Sequence, residues 1–230
     1  LLILAPNLLR HLPSALLGAV VITACLSFTD VRGMLALYRQ RRVEFLLSVI
    51  SFLGVAFVGV IQGIVIAILL ALLVLVWNAW HPYYATLVRV DGRKGYHDVQ
   101  RHPEGRFLPG LVIFRWDAEL FFANAEVFRD RALHALEESP TETHWLIIAA
   151  DAITDIDVTA SESLQMLHDE LAQRGIELHF AGLKGPVKDR LADYGLFGQI
   201  GEDRFSSTVG SAVNRYRSQH AVDWRDWDED

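Results

Sequence analysis

Thirty-six consecutive residues, 45–80, contain no Asp, Glu, Lys, Arg or His. As one helix this run would be about 54 Å long, against ~30 Å of bilayer hydrocarbon. The chain must carry it as a single very long helix or fold it back on itself. The stretch GVIQG at residues 59–63 offers the fold-back, with two glycines and the only side-chain amide between Ser51 and Asn78. The reading is therefore a hairpin of two short spans, 43–60 and 62–80. A buried soluble core is the competing reading, and the complete absence of charge argues against it.

Charge placement gives the hairpin an orientation. The cluster RQRR (39–42) precedes it, and Arg89, Arg93 and Lys94 follow. Basic residues mark the cytoplasmic ends of membrane helices, so both ends of the hairpin belong on the inner side. A third apolar stretch, 12–29, follows the breaker His11-Leu12-Pro13 and ends near Asp30 and Arg32. Residues 1–9 read as the end of an earlier helix, and the segment 1–80 as transmembrane. Leu1 is not Met, and LLILAPNLL has neither a basic start nor a small-residue cleavage site. No signal peptide is expected, and the chain reads as beginning inside a longer protein. No span has an ionisable residue in its interior, where substrate and ion pathways usually carry one.

The remaining 150 residues are of a different kind. They hold 16 Lys/Arg against 26 Asp/Glu, a formal charge of −10. Nucleic acid requires a basic surface, so it is excluded as a partner. With the single cysteine, Cys25, in an apolar stretch, neither a disulfide framework nor a cysteine metal motif exists. The nine histidines show no metal-ligand spacing and read as surface or satisfied structural residues. Trp77, Trp80, Tyr83 and Tyr84 form an aromatic belt at the membrane exit. Residues 81–96 read as a linker, with a short strand near 98–101 in a stretch rich in glycine and proline. The apolar runs LVIFRW (111–116) and WLIIAA (145–150) then have the character of strands buried on both faces. IELHFA (176–181) alternates, placing Glu177 and His179 on a polar side. Helical spacing recurs at Ala125, Phe128, Ala132 and Leu136, at Leu164, Leu167 and Leu171, at Val187, Leu191 and Tyr194, and at Val209, Val213 and Tyr216. Alternating strands and helices imply a soluble α/β domain with a mainly parallel sheet flanked by helices, over residues 97–219. The acidic tail 220–230 is expected to be solvated and disordered.

This order of parts resembles one family. RRVEFLLSVISFLGVAFVGVIQGIVIAILLALLVLV, YHDVQRHPEGRFLPGLVIFRWDAELFFANAEVF and LKGPVKDRLADYGL are similar to the sulfate permease (SulP) family of anion transporters. DAELFFANAE after the GLVIFR strand is the most specific piece. The resemblance covers residues 1 to about 216. It corresponds to the last membrane helices, three partial or full spans at the end of a multi-helix transporter, and a C-terminal STAS domain. It implies a secondary active transporter of sulfate or a related anion in the cell membrane, often homodimeric. The cytoplasmic STAS domain would serve regulation or assembly. The implied partners are the lipid bilayer, the upstream transmembrane domain of the same protein, a second copy and a cytoplasmic regulatory protein. The family's substrate lies between half-helices of the earlier part, so no substrate-binding residue is carried over to this chain.

Two other readings compete. A membrane-anchored STAS signalling module would bind a partner protein and transport nothing. An enzyme would need a pocket such as Asp151, Asp155 and Asp157 beside Lys184, but D-x-x-x-D-x-D is not a calcium loop. No catalytic residue, metal site or cofactor is assigned. The turn Gly182-Leu183-Lys184-Gly185 could expose amides to a nucleotide, although it matches neither G-x-G-x-x-G nor a P-loop.

The stretch DIDVTASESL (155–164) contains the candidate regulatory loop: Asp155, Asp157, Thr159 and Ser161. In anti-sigma antagonists sharing this domain, a phosphorylatable serine directly follows an aspartate. Here the position after Asp157 is Val158, which has no hydroxyl. The same residues are better read as a helix start, with Thr159-Ala160-Ser161-Glu162 as a T-x-x-E capping box.

Overall fold

The computed structural model describes residues 14–27 and 30–227. The expected helix end at 1–9 lies outside them. The chain divides into two compact units, Leu1–Val74 and Leu75–Asp230.

The first unit contains α1 (Ser14–Ser27), α2 (Val31–Gln40), α3 (Arg42–Phe57) and most of α4 (Val60–Trp80). Among the described residues, α4 alone is long and apolar enough to cross a membrane. α1 has 14 residues and α3 has 16, both short of the ~20 that a full span needs. α2 adds to the expected elements. It lies between the expected spans 12–29 and 43–60, and Asp30 caps it by accepting from the Gly33 amide at 2.9 Å. Its apolar side meets α3, where Tyr38 packs edge-on against Phe45 at 5.1 Å.

The fold-back comes slightly earlier than expected. α3 ends at Phe57, and the turn passes through Gly59 at φ +135°, a backbone shape L side chains rarely adopt. Gly63 is not a breaker at all; it lies inside α4. A Cβ there would come within 2.4 Å of the Val55 amide nitrogen, and one on Gly54 within 3.2 Å of the Gly63 Cα. The two helices touch backbone to backbone at this pair, the kind of approach that small residues permit in membranes.

The second unit is built on a six-stranded sheet of order β2-β1-β3-β4-β5-β6. The strands are β1 (Tyr84–Arg89), β2 (Tyr96–Asp98), β3 (Leu111–Trp116), β4 (Trp145–Ala149), β5 (Glu177–Ala181) and β6 (Phe205–Ser206). β1 pairs antiparallel with both β2 and β3, and the other three pairings are parallel. The helices are α5 (Ala125–Glu137), α6 (Val158–Gln173), α7 (Gly185–Asp193), α8 (Leu196–Ile200) and α9 (Val209–Gln219). Strand residues alternate between two cores. Val112, Phe114, Leu146, Ile148, Leu178 and Phe180 face Phe128, Leu164, Leu167 and Leu191. Leu111, Ile113, Trp145 and Ile147 face Ala212, Val213 and Tyr216 of α9. The continuous apolar runs of β3 and β4 follow from this double burial.

The structure corrects three expectations. Residues 81–96 are not a linker: β1 lies within them and forms the antiparallel side of the sheet. Its alternation, YATLVR, is too mixed to stand out beside the two apolar runs. β5 is not polar on one side either, because α9 covers that face. His179 is buried and stacked on Trp145 at 3.5 Å. Its Nε2 lies 3.1 Å from Glu177 Oε2, and Nδ1 has no partner among the described residues. Burial pushes its pKa down to about 4, outweighing the nearby Glu177 carboxylate. Finally, the tail packs on the domain as far as Trp227. Val222 and Trp224 lie on the α9-side core, and Arg106 sits 4.3 Å over the Trp224 ring. Tryptophans spaced between the acids supply the apolar contact that the charge count conceals.

Candidate regulatory site

Where β4 ends, the chain turns through 151–157 into α6, and the sequence-level candidates separate. Asp157 is the N-cap of α6: Oδ1 accepts from the Ala160 amide at 2.8 Å. Its Oδ2 accepts from the Phe122 amide at 2.8 Å, across from the β3–α5 loop. The same two loops exchange main-chain bonds, Leu120 N to Asp155 O at 3.1 Å and Asp157 N to Leu120 O at 3.3 Å. One carboxylate therefore starts a helix and clamps a second loop.

The expected T-x-x-E box is not formed. The helix begins at Val158, so Thr159 is already inside the first turn and exposed, and Glu162 is exposed one turn on. Asp157 outcompetes threonine here because a carboxylate offers two acceptors and there are two amides to satisfy. A capping box does occur elsewhere, at the start of α9, between Thr208 and Ser211. Ser161 is buried, with its amide bonded to Asp157 O at 2.9 Å. Asp155 forms an ion pair with Arg190. Both partners are roughly half exposed, so the pair adds little stability. Val158 is 56% exposed and, with Ser161, Glu162, Gln165 and Tyr194, lines a cleft of about 370 Å³.

The three aspartates do not converge. Asp155 faces Arg190, Asp157 faces two amides, and Asp151 lies against Gly182. Among the described residues no group of three His, Cys, Asp or Glu is arranged to hold a metal. Gly182 has φ +74°, and a Cβ would fall 2.2 Å from Asp151 Oδ1. That close approach accounts for the glycine. Lys184 is the N-cap residue of α7 without a side-chain cap bond.

A second cleft, of about 680 Å³, lies over the carboxyl ends of β3 and β4, beside the N-terminus of α9. Arg89, Arg115 and Arg217 line it together with Asp151, Thr208 and Asp226. Guanidinium groups and helix amides suit a carboxylate or another oxyanion. The chain's own Asp226 is held there, with both carboxylate oxygens 2.8 Å from Arg89 Nε. The tail thus forms a strap across the domain. Arg106 and Arg217 fix it through the Arg225 and Trp224 carbonyls, at 3.3 Å and 3.4 Å. Sequence reading missed this cleft because Arg89 belongs to the unrecognised β1 and Asp226 to a tail read as disordered.

Known proteins are similar along almost the whole chain. A STAS-domain family profile matches residues 102–212. The chain is 36% identical over 216 residues to a probable sulfate transporter of Mycobacterium tuberculosis, covering 94% of this chain and 39% of that protein. It is 28% identical over 230 residues to high affinity sulfate transporter 2 of Stylosanthes hamata, covering 96% and 35%. Among solved structures, murine Solute Carrier 26 family member A9, an anion transporter, matches with TM-score 0.74 at 20% identity, over 90% of this chain and 34% of that one. That match speaks for the fold. The chain spans little more than a third of the length of the relatives it matches.

Proposed function

We propose that this chain, which carries a STAS domain and is homologous to the sulfate transporters of the SulP/SLC26 family, is the C-terminal portion of a secondary active transporter of sulfate or a related inorganic anion. One observation carries this reading: apolar helices and a STAS domain occur in one chain that aligns over 94% of its length with a sulfate transporter. The helices contribute scaffold to a larger membrane domain in the cell membrane, and the substrate is held by parts of that domain beyond this chain. The acidic STAS domain is cytoplasmic and regulates or assembles the transporter, which acts as a homodimer. The α6 start is the regulatory face. The exposed Val158 and Tyr194 line its cleft and give it an apolar patch suited to a partner protein or to the transporter's own membrane part.

Uptake of labelled sulfate, bicarbonate or dicarboxylate by the full-length protein in vesicles tests the proposal. Accumulation above protein-free vesicles for at least one of these anions is expected. No accumulation of any of them, with the protein folded and inserted, would favour a membrane-anchored signalling module, for which the apolar α6 face is the motivating observation. Val158→Asp in the full-length protein is expected to lower uptake while leaving the amount of inserted protein unchanged.

A further inference from the structure

The DAELFFANAE stretch contains two adjacent phenylalanines that the domain core does not use. Phe122 is 71% exposed, in a loop that is otherwise held firmly. The Phe121 amide donates to Asn124 Oδ1 at 3.0 Å, and the Phe122 amide to Asp157. Asn124 is fully buried, and its Nδ2 donates to the Glu119 and Ala79 carbonyls, at 2.9 and 3.2 Å. The last of these bonds ties the loop to the final turn of α4. A large aromatic side chain exposed on a clamped loop is not a consequence of slack. It is a presented surface.

The neighbours of this surface indicate what it is presented to. Phe121 and Phe122 line a cleft of about 620 Å³ together with Leu75, Val76 and Trp80 from the end of α4. Leu75, Val76 and Trp77 are more than half exposed, and Trp80 is 45% exposed. Among the described residues no basic side chain lines the cleft, and Glu126 is its one charged group. Ion pairing to a headgroup is therefore not its chemistry. Aromatic rings beside an apolar groove at the end of a membrane span have the composition of the bilayer interface, where amphipathic rings partition.

We propose that Phe122, with Phe121 and Trp80, forms an interfacial anchor: a wedge of the STAS domain inserted among lipid chains just below the headgroups. The clamp through Asn124 and Asp157 holds this wedge level with the end of α4. The anchor rests on the reading of α4 as a membrane span, and the test separates the two. In the full-length protein with Cys25→Ala and any upstream cysteine replaced, an environment-sensitive fluorophore is placed in turn on Phe122→Cys, Leu69→Cys and Asp169→Cys, and the protein is inserted into phosphatidylcholine vesicles. Leu69 lies mid-α4, and Asp169 is an exposed position on α6. Expected is blue-shifted emission at 122, quenched by a shallow doxyl lipid and resistant to aqueous iodide, with lipid quenching at 69 and iodide quenching at 169. With the reporter on Ala123→Cys instead, adding Phe122→Asp is expected to abolish the lipid quenching. Lipid quenching at 69 with iodide access at 122 overturns the anchor and leaves the span intact. So does a label at 122 shielded from both quenchers, which means that protein covers the wedge. Persistent lipid quenching at 123 after Phe122→Asp removes Phe122 as the driver. No lipid quenching at 69 overturns the span, and the anchor with it.

Discussion

Replacing Asp157 by alanine removes two hydrogen bonds, one to the Ala160 amide and one to the Phe122 amide, each 2.8 Å long. Loss of an N-cap costs about 1 kcal/mol. A bond from an amide to a charged acceptor contributes about 1.5–3 kcal/mol, and the lower end applies because Asp157 is only partly buried. The sum is roughly 2–3 kcal/mol, which for a domain of this size lowers the melting midpoint by about 5–10 °C. Asp157→Asn divides the two effects. Asparagine caps about as well as aspartate, but its single carbonyl oxygen cannot serve both amides, so about half of the loss is expected. Thr159→Ala is expected to stay within about 0.5 kcal/mol, because Thr159 is exposed inside the first turn. Thermal unfolding in detergent, followed by the buried tryptophans Trp116 and Trp145, measures all three variants. A Thr159→Ala loss equal to or greater than that of Asp157→Ala would put the cap at Thr159 and refute the assignment.

Three further outcomes follow from the geometry. Gly63→Leu forces a side chain into the Val55 backbone, so the α3–α4 pair must separate; overpacking of this kind costs about 1–3 kcal/mol, and an unchanged midpoint of the solubilised chain would remove the glycine contact. His179 is held neutral by burial, with its pKa pushed down to about 4 from 6.5. The unfolded chain therefore takes up the proton first, and stability is lost as pH falls from about 6.5 to about 4, by up to about 3 kcal/mol. Urea unfolding of His179→Phe at pH 7 and pH 5 is expected to show a shallower pH dependence than the parent. Asp226→Ala removes the carboxylate that Arg89 grips and is expected to release the strap, with a cost of about 1.5–3 kcal/mol. Limited proteolysis after Arg225 is expected to accelerate, and unchanged cleavage would mean that the Arg106 and Arg217 bonds and Trp224 hold the segment without Asp226.

How far these features were legible depends on which signal each one left. The two-part organisation and the doubly covered β3 and β4 were open to reading because burial on both faces, or immersion in lipid, writes long apolar runs. β1 left no such run. Its partners β2 and β3 decide its role through pairing, and pairing is not a local property of YATLVR. His179 was illegible for the related reason that alternation in β5 indicates a polar face only if nothing packs there, whereas α9, some thirty residues later, does. The tail was misread because its charges outnumber the tryptophans between them, and the tryptophans do the packing.

The candidate loop and the hairpin turn show a finer limit. T-x-x-E and D-x-x-A begin two residues apart in DIDVTASESL, and both are chemically sound helix starts. What decides between them is the Phe122 amide, 35 residues away in sequence, which needs an acceptor that threonine in that position could not supply. Gly59 and Gly63 stood together as one apparent break, yet Gly59 bends the chain and Gly63 lets α3 approach. A glycine reports that something must come close or turn. Only the partner, Val55 in the one case and the reversed chain direction in the other, says which. Phe121 and Phe122 likewise depend on a distant partner. The sequence marks them as the most distinctive part of the domain, but their exposure becomes meaningful only once Asn124 is seen to fasten them to the end of α4.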